Sequence, residues 1–237
     1  MWVFPAIAAL VSLVFAGLLF RRFLERRRPF QLLWAIALLM YSVASLALVL
    51  GVVNGWTSDE YRVYWLLGAV LNVPFLAVGE LALLVRNRTV VNVLLLIVVF
   101  LTAFALNRVR TATLDTAALE ADLPRGSEVL ADDTFALALA RYYAFTGYFV
   151  LLGGALWSAW KMRGAPQLRN RFVGTLGIAG GATIVAAGSA FAATGNLPGF
   201  SITLTVGIAT MFWGFVRASR PVHMQAPVAS NGGRTRS

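Results

Sequence analysis

The chain has 237 residues, 59% of them hydrophobic and only 13% charged, with a formal net charge of +10 and a mean hydropathy of +0.76. Soluble domains carry roughly 25% charged residues and leave about a third of the unfolded chain's surface exposed. A water-soluble domain of this length is therefore excluded, and the bilayer must be the solvent for much of the chain. The complete lack of cysteine also excludes disulfides, thiolate chemistry and sulfur-ligated metal.

The first apolar segment, Trp2–Phe20, carries Pro5 in its first turn, where a missing N–H costs little. Its positive charges, Arg21, Arg22, Arg26, Arg27 and Arg28, follow the segment and are offset only by Glu25. A cleavable signal peptide has its charges in front, so the segment is expected to stay and to insert with the N-terminus outside. The second segment, Phe30–Val53, leads through Asp59, Glu60 and Arg62 into the third, Tyr61–Val85, after which come Arg86 and Arg88. The fourth, Val90–Leu106, precedes a long connection, Asn107 to Thr134. There Arg108, Arg110 and Arg125 face Asp115, Glu120, Asp122, Glu128, Asp132 and Asp133. A short helix is predicted around Thr116–Leu123, broken by Pro124 and Gly126; the connection is either a cap on the outer face or a loose acidic loop.

The fifth segment, Phe135–Trp160, is joined to the sixth, Phe172–Ala193, by a stretch holding Lys161, Arg163, Arg169 and Arg171. An uncharged connection leads to the seventh, Phe200–Phe215. Residues 1–217 thus read as one seven-helix membrane domain. Residues 218–237, with Arg220, Arg234, Arg236 and the lone His223, read as a disordered basic tail.

Each segment is about long enough to cross a hydrocarbon core of roughly 30 Å at 1.5 Å per residue. Helices are the expected form, because in lipid every backbone polar group must be paired within the protein. Barrel strands would alternate apolar and polar residues over about ten positions, and these runs do not. The predicted fold is all-α, an integral membrane seven-helix bundle. Basic and non-basic connections alternate without exception, the positive-inside pattern, which places the N-terminus outside and the C-terminus in the cytoplasm. The net charge then reflects orientation and contact with anionic lipids on the cytoplasmic side, and no nucleic acid is expected as a partner. Arginine outnumbers lysine nineteen to one beside abundant Ala, Val and Gly, a bias typical of GC-rich bacterial genomes. The expected location is a bacterial cytoplasmic membrane.

Ionisable residues inside membrane helices point to function because their burial is costly. Glu80, six residues before Arg86, reads either as a proton or cation site facing a cavity or as a carboxylate that snorkels inward or pairs with an arginine. Arg141 reads either as an attractor of an anionic ligand, with Tyr142, Tyr143 and Tyr148 nearby, or as an interface anchor. Pro74 removes a helix hydrogen bond and frees a carbonyl near Ala69–Val70. A kink there could open a cavity beside Asn72, faced by Tyr41, Ser42 and Ser45 of the second helix. Gly174, Gly181 and Gly188 recur every seven residues and Gly177–Gly181 is a GxxxG pair, the pattern of a tight helix–helix seam. No HExxH, GxSxG or Walker loop is present, and His223 alone cannot complete a catalytic triad, so no enzyme activity and no cofactor are expected.

Microbial rhodopsins share the helix number and orientation, but their retinal lysine has no counterpart here: Lys161, the one lysine, follows the fifth segment. Sugar transporters of the SWEET type resemble the chain in architecture, with helices 1–3 and 5–7 running in matching directions. The stretch Arg28–Leu84, with RPFQLLWAIALL and YRVYWLLGAVLNVPFLAVG, resembles uncharacterised seven-helix membrane proteins of actinobacteria and their relatives. It is also similar to the seven-helix sensor module ahead of some bacterial histidine kinases. That resemblance, over about a quarter of the chain, implies a sensor. The tail is too short for an output domain, so a partner membrane or cytoplasmic protein is expected to carry the signal. Three functions therefore follow: a stand-alone sensor or accessory subunit, a small transporter or ion-coupled carrier, and a structural or lipid-interacting protein.

Overall fold

In hydrocarbon a backbone amide has no water to turn to, and this chain answers with helices. The computed structural model describes residues 2–85 and 87–219, and among these there is no strand. Seven helices are long and apolar enough to cross a membrane: α1 Val3–Arg26, α2 Pro29–Asn54, α3 Ser58–Leu84, α4 Arg88–Thr111, α5 Thr134–Met162, α6 Arg169–Ala193 and α7 Leu197–Ala218. Together they fit a multi-pass membrane protein.

Several helices outrun the apolar segments that announce them. α4 continues to Thr111 rather than Leu106, and α7 runs from Leu197 to Ala218. An apolar run measures hydrocarbon thickness, whereas a helix can continue through the polar headgroup layer until its end groups find partners. The starts show this. Thr57 and Glu60 form a reciprocal capping box at α3, Asp133 accepts from the Ala136 N–H at α5, and Asn196 accepts from Gly199 at α7. Between α1 and α2 the turn is made by Arg27 in the left-handed region, φ 50°. Ala218 and Ser219 close α7; the rest of the predicted tail, residues 220–237, lies outside the described residues, as does Arg86.

Six helices form a closed cycle of neighbours, α1–α2–α3–α5–α6–α7 and back to α1, while α4 leans from outside on the middle of α3 and touches α5. α4 is accordingly the least buried of the seven. Phe15 of α1 packs against Phe212 and Phe215 of α7 at 5.4 and 4.8 Å between ring centroids. Tyr41 of α2 donates to the Leu204 carbonyl of α7 at 2.9 Å.

The α4–α5 connection folds back onto one end of the bundle. It forms a 3-10 turn, Ala117–Glu120, and a single helical turn, Gly126–Val129, and it buries Leu119, Leu123, Val129 and Leu130. The Arg108–Asp133 ion pair at 2.9 Å fastens its base, and the Trp56 indole N–H donates to the Asp122 carbonyl at 3.2 Å. The segment is a packed lid.

Candidate functional site along helix α3

Helix α3 carries most of the polar and irregular features of the bundle in one continuous run. At the lid end, Trp56, Tyr61, Tyr64 and Trp65 form an aromatic cluster with ring centroids 5.2 to 6.0 Å apart. Glycines make room for it: a Cβ at Gly51 would land on the Trp56 indole and one at Gly126 on Trp65. The Tyr61 hydroxyl and the Trp65 indole N–H are buried without a hydrogen-bond partner among the described residues. Beside the cluster, between α2 and the lid, lies a cleft of about 300 Å³ lined by Gly55, Trp56, Thr116, Glu120 and Asp122, among others.

From Trp65 to Leu71 the helix widens into a π-helix before returning to α-geometry at Asn72. Pro74 supplies the cause. It brings no N–H, so the carbonyl one turn earlier loses its ordinary partner. Over a π-helical stretch, amides reach one residue further back instead. The sequence-level expectation was a kink near Ala69–Val70 opening a cavity; the structure takes up the missing bond as a long π segment. Gly68 within it lies against α2, where a Cβ would stand 3.1 Å from the Ala44 Cβ.

Below the π segment the predicted site residues separate. Asn72 donates its amide N–H to the Ala37 carbonyl of α2 at 3.2 Å, and Ser42 donates to the Ala9 carbonyl of α1 at 2.9 Å. Ser45 is buried. Trp34 of α2 donates to the Leu76 carbonyl at 3.0 Å, close to Pro74. Tyr41 spends its hydroxyl on the Leu204 carbonyl of α7. Asn72, Ser42, Trp34 and Tyr41 are thus engaged with neighbouring backbones and act as interhelical ties.

Glu80 differs. It is only 3% exposed and makes no hydrogen bond or ion pair within the described residues. Its side chain occupies the space in front of Gly154 of α5, where a Cβ would stand 2.5 Å from the Glu80 Cγ and 3.0 Å from Oε1. One heptad away on both helices, Val73 fills the space in front of Gly147. α3 and α5 therefore run parallel and in register, with two glycines of α5 receiving two side chains of α3. The sequence reading missed Gly147 and Gly154, although their seven-residue spacing was a usable signal.

The remaining predicted residues of α5 point elsewhere. Arg141 and Tyr142 are exposed on the outer surface of the bundle. The Tyr143 hydroxyl reaches the Leu101 carbonyl of α4 at 3.5 Å, and Tyr148 shares a 3.0 Å hydrogen bond with Thr183 of α6. Arg141 and its tyrosines do not join Glu80, Asn72 and Tyr41 in a single cavity.

Four glycines of α6, Gly174, Gly177, Gly181 and Gly188, face α7, while Gly180 faces away. A Cβ at Gly174 would stand 2.5 Å from the Gly214 carbonyl oxygen, and one at Gly181 equally close to that of Gly207. Gly177 lies against Gly214 and Trp213, and Gly188 against Thr203 and Phe200. The glycines of α7 return the contact, so the two backbones touch in antiparallel register at positions seven residues apart. Such approach gains dispersion and weak Cα–H···O contacts. Among the described residues, no three His, Asp or Glu side chains gather as a metal site would require. No family model, curated protein or solved structure matches this chain.

Proposed function

We propose that this protein is a membrane sensor or accessory subunit that acts through another protein, as the resemblance of Arg28–Leu84 to kinase sensor modules implies. One observation carries the reading: α3 connects a cleft under the lid to the opposite end of the bundle through a π-helical segment. A π segment is a natural two-arrangement element, because its extra residue can be absorbed or passed along the helix. Occupancy of the cleft beside Trp56 would shift Tyr61 and Trp65, whose polar atoms lack partners among the described residues, and the helix would transmit the shift towards Glu80 and Gly154.

The natural absence of cysteine makes a clean test possible. Ala44→Cys with Gly68→Cys places two sulfurs where the π segment meets α2, and oxidation pins that contact. Extracted gently in its own membrane patches, the protein should carry a partner in defined ratio by native mass spectrometry. Pinning should change that ratio, and reduction should restore it. Recovery of the protein alone, or a partner indifferent to pinning, defeats the reading.

A second reading, an ion-coupled carrier, is favoured by Glu80, a buried carboxylate with no counter-charge among the described residues. It expects Glu80→Gln to abolish a flux in liposomes. Unchanged transport across a panel of ions and small metabolites removes its one anchor.

A further inference from the structure

At the α5–α6 corner, on the arginine-rich end of the bundle, lies a second cleft of about 310 Å³, lined by Met162, Arg163, Gly164, Ala165, Arg169 and Phe172. Gly164, at φ 84°, makes the sharp reversal that sets the two arginines on one rim. Neither guanidinium has a carboxylate within ion-pair distance among the described residues. The ion pairs among the described residues are Arg21–Glu25, Arg108–Asp133 and Arg125–Glu128, and none involves Arg163 or Arg169. The other walls, Met162, Ala165 and Phe172, are apolar. The cleft is thus lined mainly by apolar atoms, with two exposed arginines at its edge.

Its depth in the bilayer is marked by the preceding turns of α5. Trp157 and Trp160 stack with centroids 5.5 Å apart, both more than half exposed, and the Lys161 ammonium sits 4.8 Å over the Trp157 ring. Exposed tryptophans beside a lysine mark the headgroup layer. The first turn of α6 supports the same picture, since no side chain caps its amides and a helix start favours anions.

We propose that this cleft binds the phosphate group of an anionic phospholipid. Arg163 and Arg169 hold the phosphate oxygens, and Phe172 and Met162 carry the first part of the acyl chains. A free phosphate ion would use the guanidinium groups but leave the apolar walls wet. A zwitterionic headgroup would bring its ammonium towards Lys161 and Arg171. Both are disfavoured against a headgroup that bears the phosphate charge alone.

The test uses the full-length protein in detergent, titrated separately with phosphatidylglycerol, phosphatidylcholine and inorganic phosphate and read by native mass spectrometry. The wild type should retain one phosphatidylglycerol in preference to phosphatidylcholine. Arg163→Gln with Arg169→Gln should weaken that binding about a hundredfold, the effect expected of losing two direct charge-assisted contacts to the phosphate. Arg26→Gln with Arg27→Gln, which removes the same charge at the same end, should change it less than about threefold. Arg163→Lys with Arg169→Lys should keep most of the binding, and unaltered melting of all three variants shows that they fold. Equal weakening by the two glutamine pairs would mean diffuse surface charge and overturn the proposal. Inorganic phosphate displacing the lipid at comparable concentration would make the cleft an ion site, and overturn it as well.

Discussion

Replacing Gly181 with alanine places one methyl group in the α6–α7 seam, and replacing its neighbour Gly180 places the same group where nothing lies within 4 Å. At Gly181 the new carbon would stand 2.5 Å from the Gly207 oxygen and 2.6 Å from the Met211 nitrogen and Cγ. Two of those three atoms are backbone and cannot rotate away, so the helices themselves must part by about half an ångström or more before the contact becomes tolerable. Overpacking of this kind costs about 1–3 kcal/mol, and a backbone neighbour puts the cost near the upper end. Gly180→Ala meets no obstacle and removes a helix-interior glycine, which should stabilise by about 0.5–1 kcal/mol. The two variants, identical in composition, should therefore differ by about 3 kcal/mol, more than a hundredfold in the folding equilibrium. Unfolding in mixed micelles of rising dodecyl sulfate content measures the difference. Tryptophan fluorescence can follow it, since Trp213 lies against Gly177 in the same seam. Equal stability of the two variants would refute the backbone-contact account of the seam.

The remaining predictions concern other joints. Gly154→Ala should destabilise by about 1–3 kcal/mol because its methyl meets Glu80. Combining it with Glu80→Ala should recover most of that loss, a coupling that a double-mutant cycle reads directly; simple additivity would show that the two residues do not touch. Arg108→Ala removes the ion pair to the nearly buried Asp133 and the guanidinium lying 5.1 Å over the Phe135 ring. Hydrogen exchange over residues 112–133 should accelerate at least tenfold, a loss of about 1.4 kcal/mol or more, while the α6–α7 seam is unaffected. Asn72→Leu deletes the tie to the Ala37 carbonyl and should cost about 0.5–1.5 kcal/mol; no change in micelle unfolding would mean that the amide carries no interhelical bond.

The number and course of the helices were legible because hydrocarbon leaves the backbone no alternative, and apolar runs of sufficient length announce themselves. The glycine spacing of α6 was readable for a related reason: a residue without a side chain, repeated every seven positions, marks a face. The predicted polar cavity was less legible. Sequence depth places Glu80, Asn72, Tyr41 and Arg141 along their own helices, but not the direction in which each side chain faces. Tyr41 turns to α7, Asn72 to α2, Glu80 to α5 and Arg141 to the outside. The π segment lay out of reach too. Pro74 predicts a lost hydrogen bond, but whether the helix bends or widens depends on what Gly68 and Ala44 allow across the interface. The lid was half legible: the expected helix around Thr116–Leu123 is a 3-10 turn that ends at Glu120, Gly126 opens a second turn, and the docking depends on Trp56, which the sequence reading did not single out.

The neighbourhood of the first and last helices bears on synthesis. A chain leaving the ribosome inserts α1 and α2 long before α7 exists, yet both make bonds that only α7 can complete. The Tyr41 hydroxyl waits for the Leu204 carbonyl, and the Arg22 guanidinium waits for Ser219, to which it donates at 2.7 Å. Thr205 later brings its hydroxyl to the Phe4 carbonyl at 2.7 Å. An unpaired polar group facing lipid is unfavourable by several kcal/mol. Any product that stops short of Leu197 would keep the Tyr41 hydroxyl in contact with acyl chains and leave the flank of α1 uncovered. Copies that stop before α7 would thus carry their own signal for membrane proteases.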